Sequence, residues 1–234
     1  MIRVVTSFVL LSGSVFGADP RITTEEIATP AAAAGASGSS LTMSPNSLAW
    51  LTWLEATGKN TALRFATFDA AGRQWSAART IAQGPDWFVN WADFPALTVD
   101  GPGRATVAWF VNNPAPATGT TTVGHDHHGP GYRAFLSRTT DAGQTWSAPA
   151  ARTDESDAVE FVSLATLADG RVLAAWLDGR AKQKGAKTQQ LFARIVHEPG
   201  SDVRIDSSVC DCCQTTLTAF PDGTALLAYR GRGF

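Results

Sequence analysis

The stretch Leu164-Ala-Thr-Leu-Ala-Asp-Gly-Arg-Val-Leu-Ala-Ala-Trp176 decides the fold. Its apolar residues flank an Asp-Gly pair, and Gly tolerates the positive φ that a tight hairpin turn requires. Three similar segments run from Leu41 to Trp53, from Ala96 to Trp109 and from Leu217 to Tyr229. The four hairpins recur at intervals of roughly 50 to 70 residues, which leaves room for four strands and their loops. A four-stranded antiparallel repeat predicts the blade of a β-propeller.

The composition favours the same all-β class. The chain of 234 residues is 44% hydrophobic and contains 12 Phe, 8 Trp, 21 Gly and 12 Pro, which is typical of short strands joined by tight turns. Its formal charge is -2, and it has no run of Lys or Arg. Without such a run the chain lacks the electrostatic footprint of a nucleic-acid-binding protein, so we expect no nucleic-acid partner.

The amino terminus has the pattern of an export signal. Arg3 precedes an apolar run from Val4 to Phe16, and small residues follow at the expected cleavage site, so residues 1–17 are a predicted signal peptide. Residues 18–40 are rich in Ala, Gly and Ser and predict a low-complexity linker. We therefore expect a periplasmic or extracellular protein without a membrane span in its mature chain.

A second recurring element lies between the hairpins. The pattern Thr139-x-Asp141-x-Gly143-x-Thr145-Trp146 resembles the Asp-box of the sialidase and BNR-repeat families. In those families the Asp-box joins the third and fourth strands of a blade in a six-bladed propeller. The resemblance therefore implies a structural role for Thr139, Asp141, Gly143 and Trp146.

Three longer segments, residues 86–95, 176–180 and 210–215, resemble bacterial secreted proteins of the sialidase-like group. The resemblance covers most of residues 41–234 and implies a partial sialidase-like propeller. We expect its blades near residues 41–80, 94–152, 161–206 and 214–234. About three and a half blades cannot close a ring, so we expect either a truncated chain or a second chain that completes the sheet.

The direction of the strands predicts which loops meet. In an up-and-down blade, the loops before the first strand and after the second strand lie on one face. Residues 90–94, 160–161 and 210–214 precede predicted first strands, so we expect them at one mouth of the central channel. The loops after the second strands carry Asp178, Arg180, Arg230, Arg232 and residues 125–128 to the same face.

The cysteines predict a soft-metal site. Cys210, Cys212 and Cys213 are the three Cys of the chain and lie within four residues. Thiolates held together attract copper or zinc, and imidazoles from the same face could add ligands; the candidates are His125, His127 and His128. Alternatively, two of the Cys oxidise to each other in the export compartment, although a bond between the vicinal pair would be strained.

A glycosidase is the second hypothesis. Sialidases bind a carboxylate sugar with three Arg, use a Tyr activated by Glu as nucleophile and keep an Asp as acid/base. The resemblance therefore makes Asp93 and Asp178 candidate acid/base groups. Arg180 and Arg230 are candidate carboxylate-binding groups, because the guanidinium fork fits a carboxylate; the alternative is a structural ion pair with a neighbouring Asp.

The sequence also departs from the sialidase pattern. It has no Phe/Tyr-Arg-Ile-Pro motif near its start, and its two Tyr are Tyr132 and Tyr229. Tyr229 takes the repeat position of Trp176, which predicts a core residue. A third hypothesis is therefore an interaction propeller without catalysis and with an unknown protein partner.

Four aromatics, Trp87, Phe88, Trp91 and Phe94, precede the second hairpin. Aromatic faces can stack on sugar rings, so a glycan or another small molecule is a candidate ligand of the channel face. The same residues could instead pack as wedges between blades.

Overall fold

The structure, a computed structural model, describes residues 24–113, 132–151 and 158–232. In these ranges the regular structure is β-strand, apart from one 3-10 turn at Lys182–Lys184. The predicted all-β class is therefore confirmed. The predicted signal peptide, residues 1–17, lies outside the described residues.

The strands form four antiparallel sheets. The first contains β1 (Ser37–Met43), β2 (Leu48–Thr57), β3 (Asn60–Asp69), β4 (Gln74–Trp75) and β5 (Arg79–Gly84). The second contains β6 (Ala96–Gly101), β7 (Arg104–Asn112), β8 (Tyr132–Thr139) and β9 (Ala150–Ala151). The third contains β10 (Val159–Thr166), β11 (Val172–Asp178), β12 (Gln189–Val196) and β13 (Val203–Val209). The fourth contains β14 (Thr216–Ala219) and β15 (Ala225–Ala228).

Each sheet is a simple meander in which strands that follow one another in the chain pair side by side. In the first sheet β4 and β5 both pair with β3, so the outer strand is split in two. The first strands of the sheets contact one another in the order β1, β6, β10 and β14. The sheets therefore radiate from a common centre, which confirms the partial β-propeller.

The hairpin turns follow the predicted turn chemistry with one difference. Gly170 has a φ of 83° between β10 and β11, in the left-handed region that Gly adopts without a steric penalty. At the matching turn between β1 and β2, Ser47 takes the positive φ of 61°. The side chain of Ser44 braces this turn by accepting a 3.0 Å hydrogen bond from the backbone N–H of Leu48.

The core lies between neighbouring sheets. Buried side chains of the first and second sheets form one cluster, which includes Trp50, Phe65, Leu97 and Trp109. A second cluster joins the second and third sheets through Phe110, Tyr132, Val162 and Trp176. A third cluster, made of Phe161, Leu191 and Val209 in the third sheet, packs against Leu227 of the fourth. Two of the aromatic residues that end the hairpins, Trp109 and Trp176, therefore help to hold adjacent blades together.

A hydrogen bond recurs in two of the blades. The indole Nε1 of Trp53 donates to Glu55 over 2.7 Å, and that of Trp176 donates to Asp178 over 2.9 Å. Residues two apart on a strand share a face, so the acid two positions after the Trp lies beside its ring. Both indoles are fully buried, and each donor needs a partner in the core.

Two features differ from the sequence expectations. β1 begins at Ser37, inside the segment 18–40 that the composition predicts as a linker. Tyr229, expected in the core, is 38% exposed and donates its hydroxyl to Asp206, because β15 pairs only with β14 among the described strands.

Across the described ranges, none of the helical structure has the length and hydropathy of a membrane-spanning segment.

Candidate functional site

Three chain segments meet at one mouth of the central channel. The backbone N–H of Phe161 donates to Oδ1 of Asp93 over 2.8 Å, and the hydroxyl of Thr215 donates to the carbonyl of Phe161 over 2.8 Å. The side-chain amide of Gln214 donates to the carbonyl of Ala92. The structure thus brings together the loop before β6, the start of β10 and the loop before β14.

Phe161 occupies a strained backbone position at this meeting point. Its φ is 51°, and the register of β10 against β11 shifts between Glu160 and Ser163. A bulky residue with a positive φ is an outlier that the surroundings must stabilise. The hydrogen bonds of its N–H and its carbonyl provide that stabilisation, and the resulting bulge points Phe161 toward the fourth sheet.

Asp93 is the acceptor of a buried network. It is 2% exposed, and its Oδ2 accepts from the hydroxyl of Tyr132 over 2.9 Å and from the side-chain amide of Asn90 over 3.1 Å. Burial, followed by the charges of Glu160 and Asp93, raises the pKa of Tyr132 far above its ordinary value. Tyr132 is therefore a neutral donor that holds Asp93 in place.

Glu160 is a buried acid that the sequence analysis did not select. Its residue surface is 3% exposed, and burial raises its pKa to about 8 against the opposing hydrogen bond with Gln189. The charge of Asp93 contributes to this rise, whereas the charge of Lys182 opposes it. Glu160 is thus mostly protonated at neutral pH. A Glu in the apolar run Val159–Val162 was the available signal.

The three cysteines form a compact cluster at the same mouth. The Sγ atoms of Cys210 and Cys212 lie 3.1 Å apart, those of Cys210 and Cys213 lie 3.5 Å apart, and those of Cys212 and Cys213 lie 3.9 Å apart. All three thiols are free. Cys210 is buried, Cys213 is half-buried and Cys212 is exposed, so the cluster is anchored on one side and open to solvent on the other.

The surroundings give the thiols of Cys210 and Cys212 different pKa values. Burial opposes ionisation of Cys210, but hydrogen bonds from Cys212, Cys213 and Arg232 outweigh it and lower its pKa to about 7. Hydrogen bonds to Cys210 and Cys213 raise the pKa of Cys212 to about 11. One thiolate therefore forms first, and the neighbouring thiols stabilise it.

Positive side chains border the cysteine cluster. Nη1 of Arg230 lies 3.8 Å from Sγ of Cys213. Asp211, within the Cys loop, accepts from Arg232 over 2.8 Å and pairs with Lys182 over 3.4 Å. Arg230, predicted from the sequence as a carboxylate-binding group or as the ion-pair partner of a neighbouring Asp, therefore lies beside the cysteine cluster.

Asp178 and Arg180 form a separate ion-pair network. Asp178 is fully buried and accepts from Trp176 and from Nε of Arg180, the latter over 2.9 Å. Arg180 also donates to Asp202 over 2.7 Å and lies above the ring of Phe192, 4.2 Å from its centroid. Of the four candidate catalytic residues, these two contact each other, whereas Asp93 belongs to the Tyr132 network and Arg230 to the cysteines.

The Asp-box residues lie in the turn between β8 and β9. The hydroxyl of Thr139 donates to Asp141 over 2.8 Å and accepts from the N–H of Gly143 over 2.9 Å. Asp141 also accepts from the N–H of Thr145 over 2.9 Å. These bonds lie within the turn.

The same turn packs against the first sheet. Trp146 lies edge-on to Phe65, with ring centroids 5.7 Å apart. A Cβ added to Gly143 would lie 2.3 Å from Cζ of Phe65, so the backbone approaches that ring directly.

The four aromatics near the second hairpin separate into two pairs. Trp87 stacks on Trp109 with centroids 5.5 Å apart, and Phe88 stacks on Tyr132 with centroids 3.8 Å apart. The other pair faces solvent, because Trp91 is 91% exposed and Phe94 is 36% exposed. Trp87 and Phe88 thus pack against other aromatic rings, whereas Trp91 and Phe94 are exposed at the mouth.

A cavity of about 230 Å³ opens beside Phe94 and Ala92. Its wall combines Phe94 and Phe161 with polar side chains; these are Ser40, Ser163, Gln214, Thr215 and Thr216. An apolar wall with several hydroxyl and amide groups is typical of a small-molecule pocket.

The candidate imidazole ligands His125, His127 and His128 lie outside the described residues.

Comparison with known proteins finds structural matches but no sequence match. No protein-family model matches it, and no curated protein sequence does. Among solved structures, an α-L-arabinanase of Penicillium chrysogenum, in complex with arabinobiose, is 13% identical, with a TM-score of 0.49; the match covers 78% of this chain and 54% of that one. A Hadza microbial sialidase is 15% identical, with a TM-score of 0.43; the match covers 82% and 52%.

An α-L-arabinofuranosidase of Fusarium graminearum, in complex with an iminosugar inhibitor, is 12% identical, with a TM-score of 0.49; the match covers 78% of this chain and 54% of that one. The chain thus spans about half the length of these solved chains. At such identities the likeness concerns the fold alone.

Proposed function

We propose that this protein is an exported, sialidase-like propeller that binds a soft metal ion, copper or zinc, through Cys210, Cys212 and Cys213. The observation that carries the proposal is the spacing of the three Sγ atoms, all of which lie within 4.8 Å of one another. Thiolate groups this close can reach one ion without a rearrangement of the backbone. Export remains a prediction from residues 1–17.

The position of the cluster suits metal binding. Cys210 is fixed to the fold, because its backbone N–H donates to the carbonyl of Arg230 over 2.8 Å. Cys212 faces solvent, which leaves a path by which an ion can arrive. The nearby guanidinium of Arg230 favours the thiolate form that metals require. The imidazoles of His125, His127 and His128 are the proposed source of a fourth ligand if the ion is zinc, and the three thiolates do not depend on them.

Oxidation is the competing fate of these sulfurs. Sγ of Cys210 and Sγ of Cys212 are 3.1 Å apart, so a disulfide between them needs a small movement. An oxidised pair could not supply two thiolates. The metal and disulfide hypotheses therefore give opposite results when thiols are counted after purification without a reductant.

Metal retention tests the proposal. The protein is reduced under anaerobic conditions, loaded with copper or zinc, desalted and subjected to elemental analysis. We expect about one equivalent of metal, lost in the Cys212→Ser/Cys213→Ser variant. Asp222→Asn, in the exposed turn between β14 and β15, is the matched control and should retain the metal. No retained metal in the unmodified protein would reject the proposal.

A carbohydrate-binding or glycosidase function is the second candidate, and the exposure of Trp91 favours it. The indole of Trp91, 91% exposed, offers a stacking surface for a sugar ring, and its neighbour Ala92 lines a cavity that also contains hydroxyl groups. The loop that carries it is fixed at both sides, because Asn90 binds Asp93 and Gln214 binds the carbonyl of Ala92. Asp93, Asp178, Arg180 and Arg230 remain the proposed catalytic residues for an exo-sialidase type of reaction.

A glycan panel and a chromogenic sialoside test this second candidate. Trp91→Ala should abolish glycan binding and leave the unfolding midpoint unchanged, because the side chain buries little surface. Phe220→Ala, another exposed aromatic at 44% exposure, is the control and should bind as the unmodified protein does. If neither glycan binding nor metal retention is found, an interaction propeller with a protein partner is the remaining hypothesis.

A further inference from the structure

We infer that the cysteine cluster is a three-coordinate site for monovalent copper, in which Cys210, Cys212 and Cys213 suffice as ligands and the surrounding cations balance the charge. The inference rests on the proposed function, since it names the ion that the same site takes. It differs from that proposal in excluding zinc as the preferred ion and imidazole as a required ligand.

The number of ligands is the first argument. The ligand atoms of the three cysteines all lie within 4.8 Å of one another. Among the described residues, no His, Asp or Glu joins them in a cluster of this size. Structural zinc sites have four protein ligands in a tetrahedron. Soft thiolates bind both Cu(I) and zinc, but Cu(I), a d¹⁰ monovalent ion, is satisfied by a triangle of sulfurs. Three sulfurs with separations of 3.1, 3.5 and 3.9 Å outline such a triangle.

The chain segment beside the cluster holds it in place and supplies cations. The backbone N–H of Cys210 donates to Arg230, that of Arg232 donates to the carbonyl of Ser208 over 2.9 Å, and Val209 pairs with Gly231. Residues two apart on an extended segment point to the same side. Arg230 and Arg232 therefore both face the Cys loop, one toward Cys213 and the other toward Asp211.

Charge is the second argument. Three thiolates and Cu(I) form a complex of net charge minus two, whereas three thiolates and Zn(II) carry minus one. Arg230, Arg232 and Lys182 bring three positive charges against the one negative charge of Asp211. Their sum of plus two matches the copper complex. Glu160 also interacts with Lys182 and Asp211, but its pKa of about 8 keeps it mostly neutral at pH 7.

Binding is a ligand exchange without electron transfer. Three S–H bonds break, three copper–sulfur bonds form, and three protons leave for solvent when all thiols start protonated. Copper stays monovalent, so no oxidant or reductant takes part in the binding step. The cations beside the sulfurs stabilise the product, in which negative charge has built up.

The experiment compares the two ions on the full chain under anaerobic, reducing conditions. Cu(I) is titrated against bicinchoninate and Zn(II) against a chromophoric zinc chelator, and X-ray absorption at the copper edge counts the neighbours of the bound ion. We expect three sulfur neighbours and displacement of zinc by equimolar Cu(I). The His125→Ala/His127→Ala/His128→Ala variant should keep its Cu(I) affinity.

The cations are tested separately. Arg230→Gln/Arg232→Gln should lower Cu(I) affinity about 10- to 100-fold, as outer-shell changes do at other metal sites. Arg204→Gln, on the exposed side of β13, removes a cation elsewhere and should leave the affinity unchanged. Circular dichroism verifies that each variant is folded.

The outcomes separate the inference from the proposed function. Zinc bound as tightly as copper, a nitrogen neighbour, or loss of copper in the His variant overturns the inference and leaves the metal function standing. Failure to bind either ion rejects the metal function itself. Three sulfurs together with the arginine effect support both.

Discussion

The backbone N–H of Phe161 donates to Oδ1 of Asp93, and this 2.8 Å bond ties the third sheet to the loop that leads into the second. The donor belongs to a residue with a positive φ, and the acceptor is 2% exposed. The bond therefore couples a strained strand to a buried carboxylate at the mouth of the channel. Thr215 connects the cysteine loop to this pair through the carbonyl of Phe161, and Gln214 connects the same loop to Ala92 in the Trp91 loop.

Asp93→Ala should destabilise the protein by about 2–5 kcal/mol, because it leaves the donors of Phe161 and Tyr132 buried without their acceptor. The urea midpoint measures the loss. Asp93→Asn keeps one acceptor oxygen, so its urea midpoint should lie between those of the unmodified protein and Asp93→Ala. If Asp93→Ala were as stable as the unmodified protein, the network would not hold the mouth together.

Gly143→Ala should cost more stability than Gly185→Ala, although both glycines have a left-handed φ, 75° and 93°. Each variant incurs about 1–2 kcal/mol of backbone strain. Only at Gly143 would the new Cβ also meet a ring, that of Phe65, so an additional 1–3 kcal/mol, roughly, is expected from overpacking.

Thermal unfolding of the two glycine variants side by side isolates the packing contribution. Nothing lies within 4 Å of the Cβ position at Gly185, so that variant is the matched control. Equal losses in the two variants would mean that the Asp-box turn can move away from the first sheet.

Glu160 makes stability fall as the pH rises. Burial raises its pKa from 4.5 to about 8, so the folded state binds more protons than the unfolded state between these values. The contribution is fully present below the unfolded pKa and is lost as the pH rises through the folded pKa, with a slope of at most about 1.4 kcal/mol per pH unit.

Glu160→Gln removes this titration and should flatten the stability profile between about pH 4.5 and pH 8. Urea unfolding of both proteins across that range is the measurement, and the variant should gain most at the alkaline end. A profile as steep as that of the unmodified protein would show that another group is responsible.

Asp178→Ala should destabilise the third sheet strongly, by about 3–5 kcal/mol, because it strips acceptors from Trp176 and Arg180 in a buried site. Asp169→Ala removes a carboxylate of similar spacing from Arg171, but at 50% exposure, and should cost far less stability because solvent screens the exposed pair. Urea unfolding of both variants is the measurement, and equal losses would show that the buried network contributes no more than the exposed pair.

The hairpins and their stacking could be predicted because the information is local. The alternation around Asp169-Gly170 fixes two strands and their turn, and the aromatic that follows marks the buried face. Strand direction then predicts residues 90–94 and 210–214 at the same end of the sheets. The start of β1 at Ser37 was missed because small residues give no hydropathy signal, although the backbone there pairs with β2.

The electrostatics of the mouth could not be predicted, since they depend on residues far apart in the chain. Lys182 reaches Asp211 only because the loop after β11 returns over the cysteine loop. No local pattern indicates the positive φ of Phe161, although the apolar run around Glu160 is a signal for the burial of that acid. The sequence shows the clustering of the cysteines and predicts Arg230 and Arg232 on the same face, whereas the contact of Lys182 with Asp211 depends on tertiary packing.

The exposure of Trp91 has an optical consequence. All eight tryptophans lie in described residues, and Trp53 and Trp176 are fully buried with their indole N–H bound to a carboxylate, whereas Trp91 is 91% in solvent. A water-soluble quencher such as iodide therefore reaches this indole and not the buried ones. The intrinsic fluorescence of Trp91 therefore reports ligand binding at the channel mouth without an added label.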